Sequence, residues 1–170
     1  MIRLALADDQ VLFRKGLAML LQDMADAQVV LECANGEELL KALAHTPVDI
    51  VLLDLQMPVL DGIATTKRIK QDFPQVKVII LSTHDEEAMI AQLMELGANG
   101  YMLKTATGDA LNDAIVSVAK GGSLLDPIVT SHVLDRLRAD GGRREEQVDP
   151  LSGQERRVLA LVALGKTNRE

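Results

Sequence analysis

VDIVLLDLQMPVLDG, residues 48–62, decides how this chain folds. It opens with Val48, Ile50, Val51, Leu52 and Leu53, broken only by Asp49. Short, β-branched and almost continuously apolar, the run suits a central parallel strand covered on both faces. It ends abruptly in Asp54. Open α/β sheets place their chemistry outside the carboxyl ends of such strands, so Asp54 is expected to project into a cleft. Taken alone, it reads equally as a cap for the next helix. Met57-Pro58 and Asp61-Gly62 then turn the chain, proline by restricting the residue before it and glycine by accepting positive φ.

The same alternation runs outward in both directions. Residues 2–7, IRLALA, read as strand one and end in Asp8-Asp9. Residues 10–22 carry Val11, Leu12, Leu17, Leu20 and Leu21 at helical spacing, with Asp9 as the expected N-cap. Strand two is residues 29–33, Asn35-Gly36 the turn, and residues 37–44 helix two. After strand three, residues 63–72 form helix three, closed by Phe73-Pro74. Residues 76–81, VKVIIL, are strand four, ending in Ser82-Thr83; Thr83 and Glu86 have capping-box spacing for helix four, residues 86–96, closed by Gly97. Residues 100–103 are strand five, followed by Lys104, and residues 109–120 are helix five, stopped by Gly121-Gly122. Five β–α units imply an α/β fold: a five-stranded, parallel, doubly wound, flavodoxin-like sheet of strand order 2-1-3-4-5.

The remaining chain reads differently. Residues 127–138 are amphipathic, with Ile128, Val129, Val133, Leu134 and Leu137 apolar, and residues 139–150, ADGGRREEQVDP, are a polar linker. Residues 151–170 begin a second, helical unit with a Ser152–Glu155 capping box. The expected divisions are 1–122, 123–147 and 148–170.

With 170 residues the chain holds one domain of ordinary size and part of another. Its core must be aliphatic, because the only aromatics are Phe13, Phe73 and Tyr101. No apolar run reaches membrane-span length and the N-terminus has no signal-peptide pattern, so a soluble cytoplasmic protein without membrane contact is expected. Cys33 stands alone, which excludes an intrachain disulfide and suits a buried strand thiol. Residues 1–120 hold 10 Lys and Arg against 17 Asp and Glu, and so carry a charge equal to the chain's net −7. That surface is unsuited to nucleic acid, which needs positive charge to exchange for phosphate counterions.

Strand order 2-1-3-4-5 brings Asp8-Asp9, Asp54, Ser82-Thr83 and Lys104 to one edge of the sheet. Carboxylates crowded in one cleft repel one another unless a cation joins them, and a hard oxygen-ligated ion that meets phosphate is of the Mg²⁺ kind. Lys104 supplies a point charge for a phosphoryl oxygen, and a hydroxyl at Ser82 or Thr83 a hydrogen bond. A carboxylate nucleophile that forms an aspartyl phosphate needs these surroundings. The bland readings are caps for Asp8 and Asp9, a solvated lysine for Lys104, and a partly buried packing residue for Tyr101. His84 reads as an exposed loop residue, His45 and His132 as structural or solvent-facing, and the scattered methionines as core filling.

Asp8-Asp9 after strand one, Asp54 in LLDLQMPVLDG, Ser82 in VIILS, and Tyr101 with Lys104 in GYMLK together resemble the response-regulator receiver domain of two-component signalling, over residues 1–122. The resemblance implies Asp54 as phosphoacceptor and Mg²⁺ as cofactor. Asp9 and Asp54 would bind the ion directly, Asp8 partly through water, and Gln56 through its backbone carbonyl. Ser82 becomes the switching hydroxyl, Tyr101 the aromatic that follows it, and Lys104 the phosphate partner. Thr105 stands where many receivers have proline, as is common in the NarL/FixJ group. Residues 151–170, LSGQERRVLALVALGKTNRE, resemble the start of that group's LuxR-type helix-turn-helix, with Gln154 where arginine is frequent. Lys166, Thr167, Asn168 and Arg169 would then lie at its turn, able to make at most weak DNA contacts. The recognition helix would follow Glu170, so a chain truncated inside its DNA-binding domain is expected, and specific DNA binding only of a longer protein.

Three functions compete. The first is a response regulator, phosphorylated at Asp54 by a sensor histidine kinase, that controls a DNA-binding transcription output, with a phosphorylation-linked homodimer. The second is a stand-alone receiver acting through protein contacts or as a phosphate sink. The third, a phosphohydrolase of the haloacid-dehalogenase type, needs an Asp two residues after the nucleophile, where this chain has Gln56. The chain is therefore read as not an enzyme beyond Mg²⁺-dependent self-phosphorylation and self-dephosphorylation.

Overall fold

The structure, a computed structural model, describes residues 1–83 and 86–125 and positions 134, 135 and 138. The chain alternates strand and helix: β1 (Ile2–Ala7), α1 (Val11–Leu21), β2 (Ala27–Cys33), α2 (Gly36–Leu43), β3 (Ile50–Asp54), α3 (Gly62–Asp72), β4 (Lys77–Ser82), α4 (Glu87–Leu96), β5 (Gly100–Leu103), α5 (Gly108–Ala119) and β6 (Leu124–Leu125). The sheet order is β2-β1-β3-β4-β5-β6 and every pairing is parallel. The five expected strands stand in the expected order. The two-residue β6 extends the sheet beyond β5, pairing Leu124 with Gly100 and Leu125 with Tyr101.

β3 explains why its sequence is so uniformly apolar. All five of its residues are buried. Side chains alternate across a strand, and here both faces are covered. Val51 and Leu53 join Ala5, Ala7, Val78, Ile80 and Tyr101 beneath α2, α3 and α4. Ile50 and Leu52 join Leu4, Leu6, Ile79, Leu81 and Met102 beneath α1 and α5. Leu134 packs against the first of these clusters. Positions 134, 135 and 138 of the expected helix over 127–138 are helical; its other residues, the polar linker and the unit at 148–170 lie outside the described residues.

Helix starts differ most from expectation. Asp9 does not cap α1: the N-cap is Gln10, and the Asp8 carboxylate accepts the Gln10 N–H at 2.8 Å. Thr83 does not cap α4, whose N-cap is Glu86; three residues separate Thr83 from Glu87, so its hydroxyl is out of register with the first turn. Asn35-Gly36 is not a free turn. Asn35, in extended backbone, accepts the Glu38 N–H, and Gly36 is already helical. Asp54 does not cap α3, because Asp61 accepts the Ala64 N–H at 2.8 Å.

Gly62 likewise supplies no positive φ. That conformation falls on Val59, at φ 70, while Gly62 is the first residue of α3. Gly97 closes α4 in the left-handed region, as expected. Tyr101 is fully buried, not partly so. Met57, Met94 and Met102 fill the core, but Met1 and Met19 are exposed.

One ion pair fixes the approach to β3. Arg3 donates to Asp49 from its backbone N–H, its Nε and its Nη2, at 2.7, 3.0 and 2.8 Å. The Arg3 hydrogen bond holds the Asp49 carboxyl down at about 2, below the ordinary value of about 3.9. The contribution to stability is therefore present above about pH 4 and is lost as pH falls through about 2. Both side chains are partly exposed, so solvent screens the pair. Asp49→Asn should unfold at lower urea than wild type at pH 7, with the gap closing near pH 2. A gap that persists or grows in acid would assign the stabilisation to something other than this carboxylate.

Candidate functional site

The carboxyl ends of β1, β3 and β5 deliver three residues to one place. Asp8 follows β1 and is buried; its N–H donates to the Cys33 carbonyl at 3.1 Å and its carbonyl accepts from Arg14 Nη1. Asp54 ends β3, also buried, with its Oδ1 accepting the Leu55 N–H at 2.9 Å. Lys104 follows β5, where its N–H donates to the Ser82 carbonyl at 2.8 Å. Its ammonium lies 2.8 Å from Asp8 Oδ2 and 3.4 Å from Asp54 Oδ1, and all three side chains are less than a tenth exposed. Asp9 is exposed at the rim. One carboxylate oxygen from each of Asp8, Asp9 and Asp54 falls within a 4.8 Å group.

Strand alternation sorts the expected site residues into two sets. Asp8, Asp54 and Lys104 continue the side of Leu6, Leu52 and Met102, towards α1 and α5. Ser82 continues the side of Ile80, towards α2, α3 and α4, and is 1% exposed. Tyr101 pairs with Ile80 in register and belongs to that same side. Thr83 is exposed. Gln56 is exposed between buried Leu55 and Met57. His84 lies outside the described residues, as do Lys166, Thr167, Asn168 and Arg169.

The electrostatics suit a cation. Burial raises the Asp54 carboxyl above its usual range, the neighbouring Asp8 raises it further, and Lys104 only partly offsets both. Two buried carboxylates thus share one ammonium, and the third stands at the opening. Hard oxygen donors this close match a divalent ion of the Mg²⁺ kind. Cys33 is no part of this chemistry: burial pushes its thiol up to about 11, far from the thiolate that reactivity requires.

Sequence reasoning missed what α1 contributes. Gln10 Oε1 accepts from Lys104 Nζ at 3.1 Å, and the Phe13 ring centroid lies 4.5 Å from that nitrogen. The available signal was their spacing of three residues at a helix start, which puts both on one face.

A doubly wound parallel sheet whose carboxyl edge gathers three aspartates, two of them paired with one buried lysine, defines the receiver class of signalling domain. Residues 4–116 match the response regulator receiver domain family, and the chain belongs to that family. The chain is 35% identical over 170 residues to the transcriptional regulatory protein LiaR of Bacillus subtilis (strain 168), and 34% identical over 177 residues to LnrK of the same organism. Each alignment covers all of this chain and 80% of the relative. A LuxR-family two-component response regulator from Aurantimonas sp. superposes with a TM-score of 0.77 at 28% identity, over 80% of this chain and 97% of that one. RcsB, solved as two dimers bound to two parallel DNAs, superposes at 0.75 with 27% identity over 99% of this chain and 84% of its own. The chain is a two-component response regulator of the LuxR type. No helix among the described residues is long and apolar enough to cross a membrane.

Proposed function

We propose that Asp54 is the phosphoacceptor of this regulator and that its phosphorylation, by a sensor histidine kinase, controls a DNA-binding output through a phosphorylation-linked homodimer in the cytoplasm. The observation that carries the reading is the Lys104 ammonium held between the buried Asp8 and Asp54 carboxylates, at 2.8 and 3.4 Å, with Asp9 in reach. In the transfer, an Asp54 carboxylate oxygen forms a bond to phosphorus as the bond from phosphorus to the donor nitrogen breaks. The imidazole leaves with the electron pair. Lys104, already beside Asp54, turns its positive charge to a phosphoryl oxygen. The Ser82 hydroxyl donates to another, and Tyr101 responds on the same face of the sheet.

Asp9 and Asp54, the Gln56 backbone carbonyl, and Asp8 partly through water, would hold Mg²⁺. Bound there, the ion neutralises the charge that builds on the transferring group. The working divisions are a receiver at 1–122, a linker at 123–147 and the start of a helix-turn-helix at 148–170, with Lys166, Thr167, Asn168 and Arg169 as weak backbone contacts to DNA. Self-phosphorylation and self-dephosphorylation are the only chemistry assigned to the chain.

The test is incubation with a small-molecule phosphodonor, with and without Mg²⁺, followed by intact-mass measurement and mapping of the modified residue. One phosphoryl group on Asp54, dependent on Mg²⁺, is expected. Modification elsewhere, or turnover of simple phosphate esters, would replace this reading with another. Asp9→Ala should weaken Mg²⁺ binding at least about tenfold, since even outer-shell partners of ligands are worth that much. An unchanged affinity by titration removes Asp9 from the ion site.

A further inference from the structure

Lys104 is held by more than its two aspartates. Its side chain is 7% exposed, so most of its length is withdrawn from water. On the side away from the sheet, both of its contacts come from the start of α1. Gln10 Oε1 accepts a hydrogen bond at 3.1 Å, and the face of Phe13 lies 4.5 Å away. Neither contact is anionic. A cation near an aromatic face is attracted by the ring quadrupole, most strongly where water is excluded. Phe13 is itself half-buried and packs against the cluster beneath α1 and α5. Its ring is therefore braced on one side by the core.

These two kinds of contact behave differently during the reaction. The pull of Asp8 and Asp54 on Lys104 weakens once their charge is shared with a metal ion or spent on a phosphoryl group. The pull of the ring and the amide does not. We propose that Gln10 and Phe13 form a neutral cradle that keeps the Lys104 ammonium at the mouth of the site when its aspartates let go of it. Both are positioning residues for the phosphoryl transfer, acting through Lys104. The role in transfer rests on the assignment of Asp54 as phosphoacceptor, whereas the cradle itself is a contact that can be measured without it.

The test uses Phe13→Leu, which keeps apolar bulk but removes the ring face, and Phe13→Tyr, which restores the face. In wild type the Lys104 ε-methylene protons should resonate upfield, shielded by the ring, and Phe13→Leu should return them to ordinary positions. Absence of the upfield shift in wild type overturns the cradle whatever the site does. At saturating Mg²⁺, phosphorylation by a small phosphodonor should slow by about tenfold in Phe13→Leu, in line with a desolvated cation–π contact, and Phe13→Tyr should recover it. In a Lys104→Met background Phe13→Leu should slow the reaction no further, because its effect passes through the lysine. Equal loss in the Leu and Tyr variants, or a full additional loss without Lys104, would make Phe13 a packing residue only and overturn the proposal. Gln10→Ala supplies a second variant on the helix surface, outside the core, and should slow transfer in wild type but not with Lys104→Met. If wild type keeps the upfield shift but takes no phosphoryl group on Asp54, the phosphoacceptor reading fails and with it the role in transfer.

Discussion

Asp54→Asn should take up no phosphoryl group from any donor, with or without Mg²⁺, while its fold becomes more stable at neutral pH. The first effect is chemical: an amide is not a competent nucleophile here. The second is electrostatic. Burial and the neighbouring Asp8 raise the Asp54 carboxyl above its unfolded value. A carboxyl raised in this way favours the fold when protonated and opposes it when ionised, so wild type bears the penalty above the ordinary carboxyl range. The amide bears none. The stability gap should therefore be widest at neutral pH, shrink as pH falls through the raised Asp54 value, and be closed below about 4. Intact mass reads the first effect, and urea midpoints across pH read the second. A fully modified Asn variant would remove Asp54 from its role. A wild type more stable than the variant at pH 7 would mean that Lys104 outweighs burial.

Gly62→Ala should be among the most damaging single changes near the site, although it adds one methyl group. A Cβ there would lie 2.4 Å from the Asp54 carbonyl oxygen and 2.7 Å from Leu55 Cα. Both neighbours are backbone, and the Gly62 N–H already donates to the Leu55 carbonyl at 2.8 Å. Relief requires α3 to lift or the end of β3 to bend. Overpacking of this kind costs about 1–3 kcal/mol, which lowers the melting temperature by roughly 2–4 °C per kcal/mol in a chain of this size. Phosphorylation should slow with it, because the displaced segment carries Asp54, the proposed phosphoacceptor. Gly16→Ala is the natural contrast. Nothing lies within 4 Å of its Cβ position in the middle of α1, and alanine should stabilise that helix by about 1 kcal/mol. Thermal melts of the pair decide the matter: a Gly62→Ala variant that melts with wild type would show that the contact relaxes freely.

The sheet was legible because its signal is redundant. β3 lies under helices on both sides, so every position reports burial, and Asp54 stands out as the break in the run. The same holds for Asp8, which ends the apolar β1, and for Lys104, which follows the apolar β5. Helix starts were less legible because several polar residues precede each helix, and only the backbone path decides which one caps. Asp9 and Thr83 have the right chemistry at the wrong register, whereas Gln10 and Glu86 occupy the caps with no side-chain cap bond. Gly62 was singled out for the wrong reason: sequence cannot separate a glycine needed for φ from one needed for space. The cradle on Lys104 escaped because Phe13 sits at helical spacing with Leu17, where an aromatic ring reads as core, and it is that as well.

The division of the site between two faces of the sheet has a consequence for how such a chain can change. Lys104 and Tyr101 lie three residues apart along one strand and its exit, and parity alone sends them to opposite sides. Insert or delete a single residue between them and one of the two must invert: the ammonium would enter the aliphatic layer under α4, or the phenol would turn towards the carboxylates. Substitutions can tune either side independently, but indels here are all-or-none. On the roles proposed for Lys104 and Tyr101, spacing along β5 is thus a reading frame for signalling, in which the count of residues matters as well as their identity.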